Sequence, residues 1–231
     1  MALSGSAVLA IWNGIKSEAE DAFVSWHIQE HIPERVGLPG FLRGRRYVAV
    51  SGQPKYFNFY ETEDATVLSS AAYVARLNAP TAWTRSVVSN FTDTSRTVCT
   101  VAFTQGLGDG AAIMTLQIST SLEKADFARS LGELASRLMQ APGIVGVHLL
   151  EGDTSAGGTP TAEKDLRDRP DETAAWILLI EGTDAGRLAA LESDGPLSDE
   201  LSIAGANADL RQGIYSLQYS LAHSQVTTTS T

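Results

Sequence analysis

Apolar and polar positions alternate with period two in short runs separated by longer stretches of helical period, which predicts strands and helices in turn. The order along the first half is strand Val8–Asn13, helix Ser17 to about Arg35, strand Phe41–Val50, strand Tyr56–Glu61, helical sequence Thr66–Phe91 broken at Pro80, and strand Arg96–Phe103. Ser17 is the expected N-cap of the first helix, with Glu18, Glu20 and Asp21 supplying negative charge to its first turn. After the linker Gln105–Gly110 the pattern resumes as strand Ile113–Ile118, helix Leu122–Met139, strands Ile144–Glu151 and Ala175–Glu181, a helix from about Ala185, and strand Gln212–Leu221. Each half therefore reads β-α-β-β-α-β, the ferredoxin-like unit. The fold class expected is α+β.

The two halves share landmarks. Pro39-Gly40-Phe41 returns 103 positions later as Pro142-Gly143-Ile144, and Tyr60–Ala65 returns 120 positions later as Ile180–Ala185. The polar stretch 154–172 accounts for the difference of 17 residues. This implies a tandem duplication with one long insertion: residues 1–105 as the first repeat, 106–223 as the second, and 224–231 as a disordered tail. A sheet with helices on only one face needs a cover for the other, so the halves are expected to pack sheet to sheet as a barrel within one chain.

Alternation also sorts the faces. Leu9, Ile11, Phe57 and Phe59 are expected beneath the helices. Trp12, Phe41, Arg43, Arg45, Tyr47, Tyr56, Asn58 and Tyr60 are expected between the sheets, facing Trp176 and His148 of the second half. Arginine donates in a planar fork suited to a carboxylate or enolate, and tyrosine donates to a developing oxyanion, so this face predicts a polar-lined pocket. Arg43 and Arg45 have a plainer alternative as members of structural ion pairs.

The densest chemistry lies in Trp26–Arg35, WHIQEHIPER, where His27 and His31 stand four apart on one helical stripe. Histidine titrates near neutrality and suits proton transfer. His31, with His27 beside it, is the expected acid–base group, and Tyr47 or Tyr60 the enolate stabiliser. Glu30 and Glu34 are expected to be solvated. His-x3-His lacks a third ligand at any fixed spacing, so no metal is expected.

Composition narrows the alternatives. The chain has 231 residues, 43% of them apolar, and a net charge of -10, which opposes nucleic acid. No apolar run reaches membrane-spanning length, no basic n-region opens the chain, and Cys99 is the single cysteine, so a cytoplasmic location is expected.

The runs WHIQEHIPER, LPGFLRGRRY and YFNFYE resemble the dimeric α/β-barrel superfamily, especially its EthD-like and methylmuconolactone-isomerase-like members, across residues 6–103; over 109–221 the likeness is architectural. The resemblance maps the family's His-x-Pro onto His31 and Pro33. It implies a small, often aromatic or ring-cleavage-derived substrate. The second half has Leu134 and Ala135 where His31 and Ile32 stand, so one site per chain is expected, with fused barrels pairing as a possible homodimer. The leading expectation is cofactor-independent proton transfer, an isomerase or lyase of small organic acids in aromatic-compound degradation. The rivals are a haem protein using His27, His31 or His148, a cofactor-free monooxygenase, and a non-catalytic ligand-binding module.

Overall fold

The computed structural model describes residues 3–153, 161–166, 172–193, 195 and 197–227. Eight strands close into one antiparallel barrel: β1 (Ala7–Ile15), β2 (Phe41–Ser51), β3 (Tyr56–Thr62), β4 (Phe91–Gly106), β5 (Ala112–Ile118), β6 (Ile144–Gly152), β7 (Trp176–Gly182) and β8 (Arg211–Ala222). Around the barrel the order is β1-β3-β2-β8-β5-β7-β6-β4. The first four strands thus form a sheet ordered 4-1-3-2 and the last four a sheet ordered 8-5-7-6, with β2–β8 and β4–β6 pairing at the two seams.

Helices pack outside. Against the first sheet lie α1 (Glu20–Trp26), a π-helical turn (His27–His31), α2 (Ile32–Val36), α3 (Ala71–Asn78) and α4 (Ala82–Val88). Against the second lie α5 (Lys124–Leu138), α6 (Ala185–Ser193) and α7 (Leu197–Ile203). A last short helix, α8 (His223–Thr227), replaces the expected tail at its start, held by a 2.6 Å contact from His223 Nδ1 to Val36 O; residues 228–231 lie outside the described residues. The first helix also starts later than expected. Ser17 opens a 3-10 turn and caps nothing, and the cap of α1 falls at Ala19. Among the described residues no helix is long and apolar enough to cross a membrane.

The barrel interior corrects the face assignment on β3 and β7. Phe57 and Phe59 point inward and join Trp12, Tyr47, Ile113, Leu150, Ile177, Leu179 and Tyr215 in one core, with Trp12 and Phe57 rings 4.7 Å apart. Tyr56, Asn58 and Tyr60 face the helices, as does Trp176, which packs 5.4 Å from Phe127. Alternation fixes which residues share a face but not which face is inward. Here the inward face of β3 is Phe57, Phe59 and Glu61, the two rings filling the barrel and Glu61 meeting Arg45. On the helix side Tyr56 donates to Glu20 at 2.7 Å, and Asn58 to Asn13 at 2.8 Å. A register shift between Phe41 and Arg43 moves Phe41 out of the barrel as well, onto Tyr60 and Tyr73.

Candidate active site

A cavity of about 480 Å³ opens between the outer face of the first sheet and its helices. It is therefore not the inter-sheet space expected from the sequence, which is filled. His27, His31, Asn58 and Tyr60 line this cavity, and the structure brings these four sequence candidates together.

The local backbone follows from Pro33. Proline has no N–H and its ring crowds the carbonyl one turn back, so the turn before it widens. Ile32 N–H donates to His27 O, a five-residue step, and His27–His31 is π-helical. A π turn takes more residues per revolution than an α turn, so positions four apart come nearly into line. The two imidazoles accordingly stack, with centroids 5.3 Å apart and planes at 19°. Trp26 packs on His31 at 4.3 Å. Glu30, expected in solvent, instead fixes that indole: its Oε1 accepts from Trp26 Nε1 at 3.2 Å, Thr81 Oγ1 at 2.6 Å and Thr84 Oγ1 at 3.0 Å.

His27 is the deeper of the pair, 3% exposed against 8% for His31. Burial, then the charges of Arg46 and Arg35, hold its pKa well below the ordinary histidine value, so it is neutral at neutral pH. Its Nε2 lies 3.4 Å from the Tyr60 hydroxyl. Burial pushes the Tyr60 pKa up, so that hydroxyl keeps its proton. The unfolded chain takes up a proton at His27 near pH 6.5 that the folded chain refuses, so stability falls with pH below about 6.5. A His27→Gln variant is expected to flatten the decline of Tm between about pH 6.5 and 5; parallel wild-type and variant curves would refute this.

The other sequence candidates lie elsewhere. Trp12, Arg43, Arg45, Tyr47 and His148 are inside the barrel, and Tyr56 is packed among Phe23, Trp26 and Val87. Arg43 and Arg45 take the plainer alternative. Arg45, fully buried, lies 3.0 Å from Glu181 and 3.2 Å from Glu61, while Arg43 lies 2.7 Å from Glu61 and 2.6 Å from Asp109. His148 is held between Glu181 at 3.5 Å and Thr104 at 2.8 Å, away from the cavity and so away from any haem bound there. Among the described residues no three His, Cys, Asp or Glu side chains gather in a metal-binding arrangement. Cys99 is buried, which pushes its thiol pKa up and keeps it protonated.

Sequence reasoning missed Arg35, Tyr73, Arg96 and Glu163, which also line the cavity. Arg96 donates to the Tyr73 hydroxyl at 3.1 Å, and the Arg35 guanidinium stands 5.9 Å over the Tyr73 ring. Arg35 stands within WHIQEHIPER, but the helical period alone does not show which face of that helix meets a cavity. Glu163 belongs to the insertion, and no local pattern could have brought it to the first half.

No protein-family model matches the chain. No curated protein matches it either. Solved structures do. An anthrone oxidase-like protein superposes with a TM-score of 0.68 at 14% identity, over 94% of this chain and 92% of that one. A candidate monooxygenase of Fusobacterium nucleatum gives 0.60 at 10% identity, over 95% and 96%. Another from Lactobacillus acidophilus gives 0.54 at 9%, over 94% and 97%. At such identities the likeness shows the fold alone: this chain has the ferredoxin-like α/β-barrel fold of these proteins.

Proposed function

We propose that this protein is an enzyme that removes a proton from a small phenolic or enolisable aromatic compound held between the first sheet and its helices, and that dioxygen captures the resulting carbanion. The observation that carries the reading is the stacked His27–His31 pair, with Tyr60 against His27, in a cavity whose wall includes the apolar side chains of Leu9, Ile11, Leu68 and Phe91. His31, the more open ring, is the proton acceptor. His27 stays neutral, so His31 gains its charge without a second imidazolium 5.3 Å away. The likeness to an anthrone oxidase-like protein supports this substrate class, because an anthrone has an acidic methylene flanked by rings. Removal of that proton leaves a delocalised carbanion. Reaction with dioxygen and loss of water then gives the quinone, one O2 consumed per ring system oxidised. Return of the proton to a different carbon would make the same site an isomerase. We also read the halves as a tandem duplication, which the matching strand orders 4-1-3-2 and 8-5-7-6 support, with the His31-x-Pro33 site in the first half alone.

Incubation with anthrone in D2O under argon tests the chemical step. The expected result is exchange of the C10 hydrogens well above the buffer rate, followed in air by anthraquinone formation and O2 uptake. Exchange at the buffer rate would overturn the reading. A Soret band in the purified protein would replace it with haem chemistry, for which His27 and His31 are the cavity-lining candidates.

A further inference from the structure

Residues 161–166 belong in sequence to the connection between β6 and β7, yet they lie over the cavity of the other half. The β4–β6 seam explains this placement. The chain leaves β6 beside β4, where Asp153 N–H donates to Val98 O at 2.8 Å, and returns beside β4, where Arg96 N–H donates to Glu172 O at 2.9 Å. Between these anchors Ala162 N–H donates to Asn78 Oδ1 and Glu163 N–H to Leu77 O, both at 3.1 Å, so the segment rests on the end of α3. Leu166 packs on the cluster of Phe23, Trp26 and Val87. The result is a strap across the cavity, with Thr161, Glu163 and Lys164 in its wall.

Arg35 meets this strap. It is only 3% exposed, lines the cavity, and its Nη2 is ion-paired to the Glu163 carboxylate. Its Nη1 is also buried and makes no hydrogen bond among the described residues; Glu34 Oε2 is 3.7 Å away. A buried guanidinium with a donor to spare is costly to leave unmatched, and its natural complement is a two-oxygen anion. The counter-ion it has comes from an insertion, outside the barrel, and the Glu163 side chain retains 14% exposure through which it could leave.

We propose that Arg35 anchors a carboxylate on the aromatic ligand, and that Glu163 is a removable counter-ion which this carboxylate displaces. This rests on the reading that the cavity holds an aromatic ligand. Glu163 already shows that a carboxylate fits against Arg35. The strap then makes charge a criterion of entry: a ligand bearing a carboxylate exchanges one ion pair for another and gains the donor at Nη1, whereas a neutral ring must leave Glu163 in place.

Calorimetric titration of the full chain with two probes, 1-naphthol and 1-hydroxy-2-naphthoate, separates the two readings. In Glu163→Gln the naphthoate is expected to bind about tenfold tighter than in wild type and the naphthol unchanged, since the competitor for a charge-assisted pair is gone. In Arg35→Gln the preference for the naphthoate is expected to vanish; if that variant does not fold, Arg35→Lys keeps the charge, loses the fork, and is expected to lose most of the preference. Glu34→Gln removes a nearby charge without vacating Nη2 and is expected to alter the ratio less than Glu163→Gln. Equal changes for both probes in Glu163→Gln, weaker naphthoate binding there, or an equal effect of Glu34→Gln would each overturn the assignment and leave the pair a structural clasp. If naphthol binds while naphthoate affinity ignores every variant, the Arg35 assignment alone fails. Binding of neither probe to wild type or to Glu163→Gln would sink the cavity reading and this inference with it.

Discussion

His31→Ala is expected to slow C10 exchange of anthrone by about 10²–10⁴, the usual worth of a positioned general base. The ring it removes stacks against Trp26 and His27 on the helix side of the first sheet, outside the barrel core, so the variant should fold with wild-type circular dichroism. Binding of the naphthol probe should survive, because Leu9, Ile11 and Leu68 still line the cavity. Tyr60→Phe should cost less, since it takes away a hydroxyl 3.4 Å from His27 Nε2 and leaves the accepting ring in place. A His31→Ala protein that exchanges anthrone at the wild-type rate would remove the histidine pair from the chemistry.

Arg45→Met is expected to be the most damaging single change in the barrel. Arg45 lies between Glu61 and Glu181, and all three side chains are sealed from solvent. Burial opposes the guanidinium charge, but Tyr47, Glu181 and Glu61 outweigh it and raise its pKa further. Burial likewise opposes the Glu181 carboxylate, and the His148 hydrogen bond and the Arg45 charge outweigh that, holding its pKa at about 2. Removing the arginine leaves buried Glu61 to Arg43 and buried Glu181 to His148 and the Gly110 N–H, at a cost of about 3–5 kcal/mol. For a chain of this size that is a fall in Tm of roughly 10 °C. Replacing Arg45 and Glu181 together by Met and Gln should cost less than the two single changes summed, because the uncompensated charge disappears. In the wild type the Glu181 contribution is present above about pH 4.5 and is lost as pH falls toward 2. Thermal unfolding of the single and double variants decides the matter: an Arg45→Met protein as stable as wild type would show that the network carries no net stability.

Much of the architecture was legible. The period-two runs located all eight strands, with β4 starting earlier and running further than expected, at Phe91 and Gly106. Pro80 separated two helices as anticipated, α3 from α4. The His27–His31 spacing placed the two imidazoles side by side, because i and i+4 lie on one side of a helix whatever surrounds it. Alternation also places Arg43 and Arg45 on the inward face, with anion binding and structural ion pairing both open; a single strand shows that Arg45 points inward, but only the opposing strand shows that Glu181 stands there, 136 positions away.

The sequence by itself determined the α+β order, the place of each strand and the shared stripe of His27 and His31, since each depends on residues within one or two turns of one another. The tertiary structure alone decided which face of β3 is inside, because packing across the closed barrel chooses between two faces that alternation leaves equivalent: Phe57 and Phe59 meet Trp12 and Tyr215 inside, while Tyr56 and Asn58 pair with Glu20 and Asn13 outside. It alone decided that the cavity lies between sheet and helices, and that Arg35 rather than Arg45 reaches it, because the β4–β6 seam carries Glu163 across from the other half of the chain.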